Sequence, residues 1–276
     1  MTSCAKRWRR RMSDPSGVGR LASAVGEPDV DRQRQPVEEA LAQLQSASLG
    51  CFDCGLSQRR RNVVFGEGNP RSPLVLVGEG PGEQEDQTGR PFVGRAGQLL
   101  DRALGDNGLS RADVYICNTL KCRACDWVEG KPVNRPPTDS EASACKRWLM
   151  PQLEAIAPEV VLCVGAPSAR NLIKRDFRIT QERGKYFRTA YARCGLATLH
   201  PAYVLRQQSA TDDGGYSLLV ADIRLAWETA LKLRGQAEAG KAKPFEFGLG
   251  VVAVADSAPD AGATGPSTQL ELFSQE

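Results

Sequence analysis

The sequence predicts an α/β fold, a three-layer α/β/α domain on a central parallel sheet of four strands. Two observations carry this expectation. The run Leu74-Val75-Leu76-Val77 is uniformly apolar and ends in the turn Gly78-Glu79-Gly80-Pro81-Gly82, the pattern of a strand buried on both faces. Short apolar runs of this kind alternate with helical segments along the chain, as a parallel sheet with crossover helices requires.

Residues 1–36 are rich in Arg, Ser, Gly, Asp and Pro without periodicity and read as a disordered basic leader. The folded body, 37–234, opens with a helix over 37–47. Strands are expected at 74–78, 114–118, 160–165 and 196–200, each an apolar, β-branched-rich run bounded by Gly, Pro, Asn or His. Helices are expected at 96–107, 139–155, 167–174 and 216–233, where apolar residues recur at helical spacing. Beyond residue 234, Ala, Gly, Pro, Glu and Asp dominate, so 235–276 reads as a flexible tail, with 245–254 apolar enough to dock. Near its far side stands Gln269-Leu270-Glu271-Leu272-Phe273, three apolar anchors in polar surroundings.

At 276 residues and 41% apolar content the chain can bury a sizeable core. A net charge of +3 does not by itself diagnose nucleic-acid binding, but basic residues cluster at Lys6, Arg7, Arg9, Arg10 and Arg11 and again at Arg59, Arg60 and Arg61. No apolar run is long enough to cross a bilayer and no secretory core follows the first arginines, so a cytoplasmic protein without membrane contact is expected. In that compartment nine cysteines argue for metal ligation or burial rather than disulfides.

Cys51 and Cys54 form a C-x2-C pair, which lets two thiolates from one turn grip one metal centre. Cys122 and Cys145 are candidates for the remaining ligands, with Cys117, Cys125, Cys163 and Cys194 as competitors; Cys117 and Cys163 fall in strand patterns and read as core. One histidine in the whole chain excludes a Cys2His2 zinc site, and spacing alone leaves four-thiolate zinc and [4Fe-4S] both open. That histidine, His200, ends a predicted strand just before Pro201, as the acidic turn ends another. Strands of one parallel sheet open on the same edge, so His200 and the segment 79–85 are expected to share a pocket.

These residues, with Gly66-Glu67-Gly68-Asn69-Pro70, Gly89-Arg90-Pro91-Phe92-Val93-Gly94, Asn118-Thr119-Leu120-Lys121-Cys122-Arg123, Asn134-Arg135-Pro136 and the run from His200 to Arg206, resemble the family 4 uracil-DNA glycosylases. That is the iron-sulfur branch of the uracil-DNA glycosylase superfamily. The likeness extends from about residue 51 to residue 233.

The resemblance implies a base-excision repair enzyme that flips uracil from single- or double-stranded DNA and hydrolyses its N-glycosidic bond without lyase activity. It implies a [4Fe-4S] cluster on Cys51, Cys54, Cys122 and Cys145. Phe92 would stack on uracil, Asn118 would hydrogen-bond its polar edge, His200 would face its carbonyl oxygen, Glu79 and Gly80 would line the pocket, and Glu85 would hold or activate water, making Glu85, Asn118 and His200 the catalytic set. On chemical grounds either Glu79 or Glu85 could favour the cationic sugar and orient the water. Tyr203, Val204 and Leu205 would wedge into the base stack, with Arg206 on a phosphate, so Tyr203, Leu205 and Arg206 are the DNA-binding set.

The segment 124–133 is an insertion relative to the family and offers Cys125 as an alternative to Cys122; it has no histidine, which excludes a covalent histidine adduct there. Gln269, Leu270, Leu272 and Phe273 resemble a bacterial sliding-clamp peptide, which implies a clamp partner and a bacterial, nucleoid-associated location for a monomeric enzyme.

Overall fold

The structure, a computed structural model, describes residues 36–239. The expectations for the leader and for the tail from residue 240, including the clamp-like peptide, lie outside the described residues. Leu74–Gly78 (β2) forms where the sequence predicts it, followed by Tyr115–Asn118 (β3), Val160–Val164 (β6) and Ala192–Thr198 (β8). These four run parallel in the order β3-β2-β6-β8.

The sheet has six strands rather than four. Glu67–Gly68 (β1) adds antiparallel to β3, and Phe187–Thr189 (β7) adds antiparallel to β8. Two and three residues are too short for alternation to register, and an antiparallel edge strand on a parallel sheet is ordinary. The inserted segment folds as well: Cys125–Val128 (β4) and Lys131–Asn134 (β5) form a separate two-stranded hairpin.

Alternation within β2 divides the core. Leu74 and Leu76 face one side, where Leu100 and Leu104 of Arg95–Gly105 (α3) and Ile223, Ala226 and Ala230 of Tyr216–Glu238 (α8) cover them. Val75 and Val77 face the other, under Leu41 of Val37–Leu49 (α1), Leu149 and Leu153 of Asp139–Ile156 (α4), and Ala169 and Leu172 of Ala166–Leu172 (α5). Cys117 and Cys163 belong to this second core, as expected of small apolar residues.

The helix α8 continues to Glu238, past the predicted limits of both helix and domain. Two short helices, Glu83–Thr88 (α2) and Pro201–Gln207 (α7), follow β2 and β8, and a third, Ile179–Glu182 (α6), precedes β7. Among the described residues no helix is long and apolar enough to cross a membrane.

The chain leaves β2 for β3 on one side and returns to β6 on the other. This reversal opens a crevice beyond the carboxyl ends of the strands, the usual ligand position in an open α/β sheet.

Candidate active site and cysteine cavity

A cavity of about 260 Å³ occupies that crevice, and Glu79, Gly80, Glu85, Phe92, Asn118 and His200 all line it. Asn118 is the last residue of β3, paired in register with Gly78 at the end of β2. The approach there is tight: a Cβ on Gly78 would lie 2.4 Å from Asn118 Oδ1 and 2.5 Å from the Phe92 ring. Asn118 Oδ1 is buried and has no hydrogen-bond partner, an expensive arrangement unless a ligand donates to it.

Behind Asn118, Lys121 Nζ donates to the Asn118 carbonyl at 3.0 Å, to Phe65 O at 3.0 Å and to Gln152 Oε1 at 2.5 Å. Lys121 therefore braces the strand end from inside the core, where it is almost fully buried.

Phe92 is 6% exposed and has a left-handed backbone, φ 52°, which a non-glycine residue adopts only when its surroundings force it. Arg111 holds this turn by donating to Pro91 O and Phe92 O. Gly97 makes room for it, since a Cβ there would fall 1.7 Å from Phe92 O. The Phe92 and His200 rings stand 5.9 Å apart, tilted by 31°.

His200 caps α7, and its Nδ1 accepts from the Ala202 N–H at 3.1 Å. A neutral ring then carries its proton on Nε2. Burial, then the nearby Arg206 charge, pull its pKa down to about 4, against an opposing pull from Glu85.

The two carboxylates differ. Glu85, on α2 rather than in a loop, accepts from Gly82 N at 3.0 Å and from Val93 N and Gly94 N at 2.8 Å each. It ties the acidic turn to the start of α3. Glu79 makes no side-chain hydrogen bond, and burial raises its pKa.

The cavity also includes Leu120, Ala124, Asn134, Arg135 and Pro137. Sequence reasoning quoted Asn134 and Arg135 as part of a motif and gave them no role. Arg135 grips Glu141 with two bonds of 2.8 and 2.6 Å, and Glu141 accepts from the Thr138 N–H at the cap of α4. The Arg135 bonds foremost hold Glu141 well below the ordinary carboxylate range, at about 2.

On α7, Tyr203 is 39% exposed and Arg206 is exposed, whereas Val204 is fully buried and Leu205 packs on the cluster of Leu99, Leu199 and Val204. A three-residue wedge is therefore not available: Val204 faces the core because a helix presents successive residues to different sides.

A second cavity is lined by Cys51, Cys54, Cys122 and Cys145, with Leu56 and Glu141. Cys125 is buried but does not line it; its carbonyl accepts from Arg59 at the base of the hairpin. Lys121 N–H points to Cys145 Sγ at 3.2 Å and Arg60 Nη1 to Cys122 Sγ at 3.5 Å. Trp148, packed among these cysteines, has a buried Nε1–H with no acceptor. Among the described residues no three ligating side chains are drawn together closely enough for a single metal ion. Four thiols around one space, N–H groups aimed at their sulfurs and an orphaned indole donor fit a larger sulfur-containing group.

The family model described as the uracil DNA glycosylase superfamily matches residues 65–224. The chain is 43% identical over 173 residues to a type-4 uracil-DNA glycosylase of Thermotoga maritima, covering 62% of this chain and 86% of that one. It is 41% identical over 176 residues to the type-4 enzyme of Archaeoglobus fulgidus, covering 60% and 84%, and 38% identical over 174 residues to that of Pyrobaculum aerophilum, covering 60% and 85%. With a matched core and a cavity built at the sheet's switch point, the chain belongs to the uracil-DNA glycosylase superfamily and, within it, to the type-4 uracil-DNA glycosylases, and is a DNA-glycosylase enzyme.

Proposed function

We infer that this DNA-repair glycosylase extrudes uracil into the cavity beside Asn118 and hydrolyses its bond to deoxyribose, leaving an abasic site. The observation that carries this is the orphaned Asn118 Oδ1 in a cavity shared with Phe92, His200 and Glu79. A pyrimidine stacked on Phe92 would donate N3–H to Asn118 Oδ1 and accept at O4 from the same amide. Cytosine reverses that pattern and leaves both groups unpaired. A base inside a duplex cannot reach these groups, so it must leave the stack.

As the N1–C1′ bond breaks, its electron pair goes to the base and positive charge develops on the sugar. His200 Nε2–H is suited to donate to the anionic base, and Glu79 to face the cationic sugar and orient the water that adds to C1′. Glu85 serves as a brace for the loop that carries these groups. On α7, Tyr203 and Arg206 are exposed and Leu205 is half-buried, and these three would meet DNA.

Four cysteines, Cys51, Cys54, Cys122 and Cys145, would hold a [4Fe-4S] cluster, which would supply a cross-link between chain segments rather than a reacting group. The peptide from Gln269 to Phe273 supports recruitment by a bacterial sliding clamp, in keeping with a monomeric enzyme working at the nucleoid.

A lyase step needs a free amine. Lys121, three residues beyond Asn118, has its Nζ committed to three acceptors in the core. The purified protein should therefore release uracil from single-stranded and U:G oligonucleotides, with strand scission only after alkali. A borohydride-trapped adduct on uracil DNA would overturn the hydrolytic assignment, and absence of uracil release would overturn the activity.

Neutral His200 gives a pH expectation. Its folded pKa lies near 4 and its ordinary value is 6.5, so the imidazole stays unprotonated throughout the range where free histidine titrates. Between those values the unfolded chain binds a proton that the native chain does not, and this contribution to stability is lost as pH falls from about 6.5 towards 4. The maximal excision rate should show no histidine limb between about pH 5 and 8. A rate that drops with a midpoint near 6.5 in wild type but not in His200→Asn would contradict the neutral assignment.

A further inference from the structure

We propose that the inserted hairpin of β4 and β5 is a second DNA-contacting arm, with Trp127 as a stacking platform for a nucleotide flanking the extruded base. This rests on the glycosylase reading and adds an element that the active-site cavity does not contain.

The register sorts the two faces of the hairpin. Cys125 pairs with Asn134 and Trp127 with Pro132, and directly opposed residues two apart along a strand project from one face. Asn134 lines the base cavity, together with Ala124 and Arg135 at the root of the hairpin. The hairpin therefore rises from the cavity wall, with Trp127 and Pro132 about 7 Å further along the strand than Asn134. Val128 and Val133 belong to the opposite face.

The root of the arm is fixed. Arg123 donates to Asn134 Oδ1 at 2.7 Å and to Pro132 O at 3.4 Å, and Arg59 donates to Cys125 O at 3.2 Å. Asp126 is paired with both Arg59 and Arg135, which offsets the carboxylate that would otherwise repel a phosphate nearby. The tip turns through Glu129 and Gly130, both with positive φ, as a tight two-residue hairpin requires.

On this braced arm Trp127 is nevertheless 60% exposed. A large indole held in water at the rim of a site for polymeric DNA has an occupant defined by that continuity. Nucleotides on either side of the extruded one must cross the rim, and every base offers a face to stack on indole.

The test compares Trp127→Ala, Trp127→Phe and the opposite-face pair Val128→Ser/Val133→Ser. Binding is read by fluorescence anisotropy on a labelled single-stranded oligonucleotide carrying 2′-fluoro-deoxyuridine, which resists cleavage, and excision on the matching deoxyuridine oligonucleotide. Trp127→Ala should weaken binding by about tenfold and raise the half-saturating DNA concentration, with the maximal rate within about twofold of wild type. Trp127→Phe should recover most of the binding, the valine pair should bind as wild type, and thermal melting should be the same for all.

Equal binding by Trp127→Ala and wild type overturns the inference, as does an equal loss in the valine pair. A concentration-dependent dimer that Trp127→Ala abolishes would assign the face to a second copy and also overturn it. If wild type binds the fluorinated strand but releases no uracil from the cleavable one, the catalytic reading fails while the binding comparison still judges the arm.

Discussion

Replacing Glu79 with Gln is expected to slow single-turnover uracil excision by about 100- to 10,000-fold, with DNA binding within a few-fold of wild type. Both candidate carboxylates line the cavity, so proximity does not distinguish them; their partners do. Glu85 accepts three backbone N–H bonds, which spread its charge over the loop and leave little free to face a cationic sugar. Glu79 follows β2 directly, makes no side-chain hydrogen bond, and has its pKa raised by burial. Such a carboxylate interacts strongly with developing positive charge because little water screens it.

Two further consequences separate the pair. Excision should fall as pH drops through the raised Glu79 pKa, because only the ionised form faces the sugar favourably, and Glu79→Gln should lose this dependence. Glu85→Gln puts an NH2 group where a carboxylate oxygen accepts, so its damage should appear chiefly as a lower melting temperature and weaker DNA binding. A Glu79→Gln enzyme that excises within threefold of wild type, alongside a folded but inactive Glu85→Gln, would return the water-activating role to Glu85.

The family resemblance implied Glu85 for the water, while the residues alone left Glu79 and Glu85 both open. The stretch after β2 is so rich in Gly and acidic residues that it reads as an open loop, yet 83–88 closes into one helical turn and a half once Glu85 reaches back to Gly82 N–H. That bond depends on three-dimensional closure with Val93 and Gly94, which no local pattern announces. The convergence of His200 with the segment 79–85 was legible for the opposite reason, whereas Asn118 entered through the family resemblance. Both segments follow apolar runs, and strands of one parallel sheet must end on one edge.

The elements missed share a physical cause: they are stabilised by neighbours rather than by their own sequence. The strand β1 contains a glycine and is only two residues long, and β7 is three, so each forms by pairing to a longer strand. The hairpin turns at Glu-Gly rather than the Asn-Gly or Asp-Gly that would have flagged it, and Glu129 accepts φ 50° within the pairing around it. On α7 the expected wedge ignored helical periodicity, which sends Val204 inward and leaves Tyr203 and Arg206 outside.

Cys145→Ala is expected to produce protein without visible iron–thiolate absorption or stoichiometric iron, and with a melting temperature lower by more than about 10 °C. The size follows from what the four thiols join. Cys51 and Cys54 lie between α1 and the 3-10 turn Gly55–Gln58, Cys122 follows β3, and Cys145 projects from α4. The small apolar cluster that surrounds them is built on Leu56, Leu120, Ala124 and Trp148, and between residues 50 and 66 the only regular element is that 3-10 turn.

A stretch so poor in regular structure has little to hold it once a four-point cross-link is gone, and the binding energy of such a group is folding energy. Loss of about 5 kcal/mol in a domain of this size corresponds to a drop of about 10–20 °C. The damage should reach the base site, because Leu120 and Lys121 connect Cys122 to Asn118, and Lys121 N–H donates to Cys145 Sγ. Excision per folded molecule at low temperature should nevertheless remain measurable, since no thiol lines the base cavity. Zinc at one equivalent in place of iron in the wild type would refute the cluster assignment, and an iron-free Cys145→Ala protein melting with the wild type would refute its structural role.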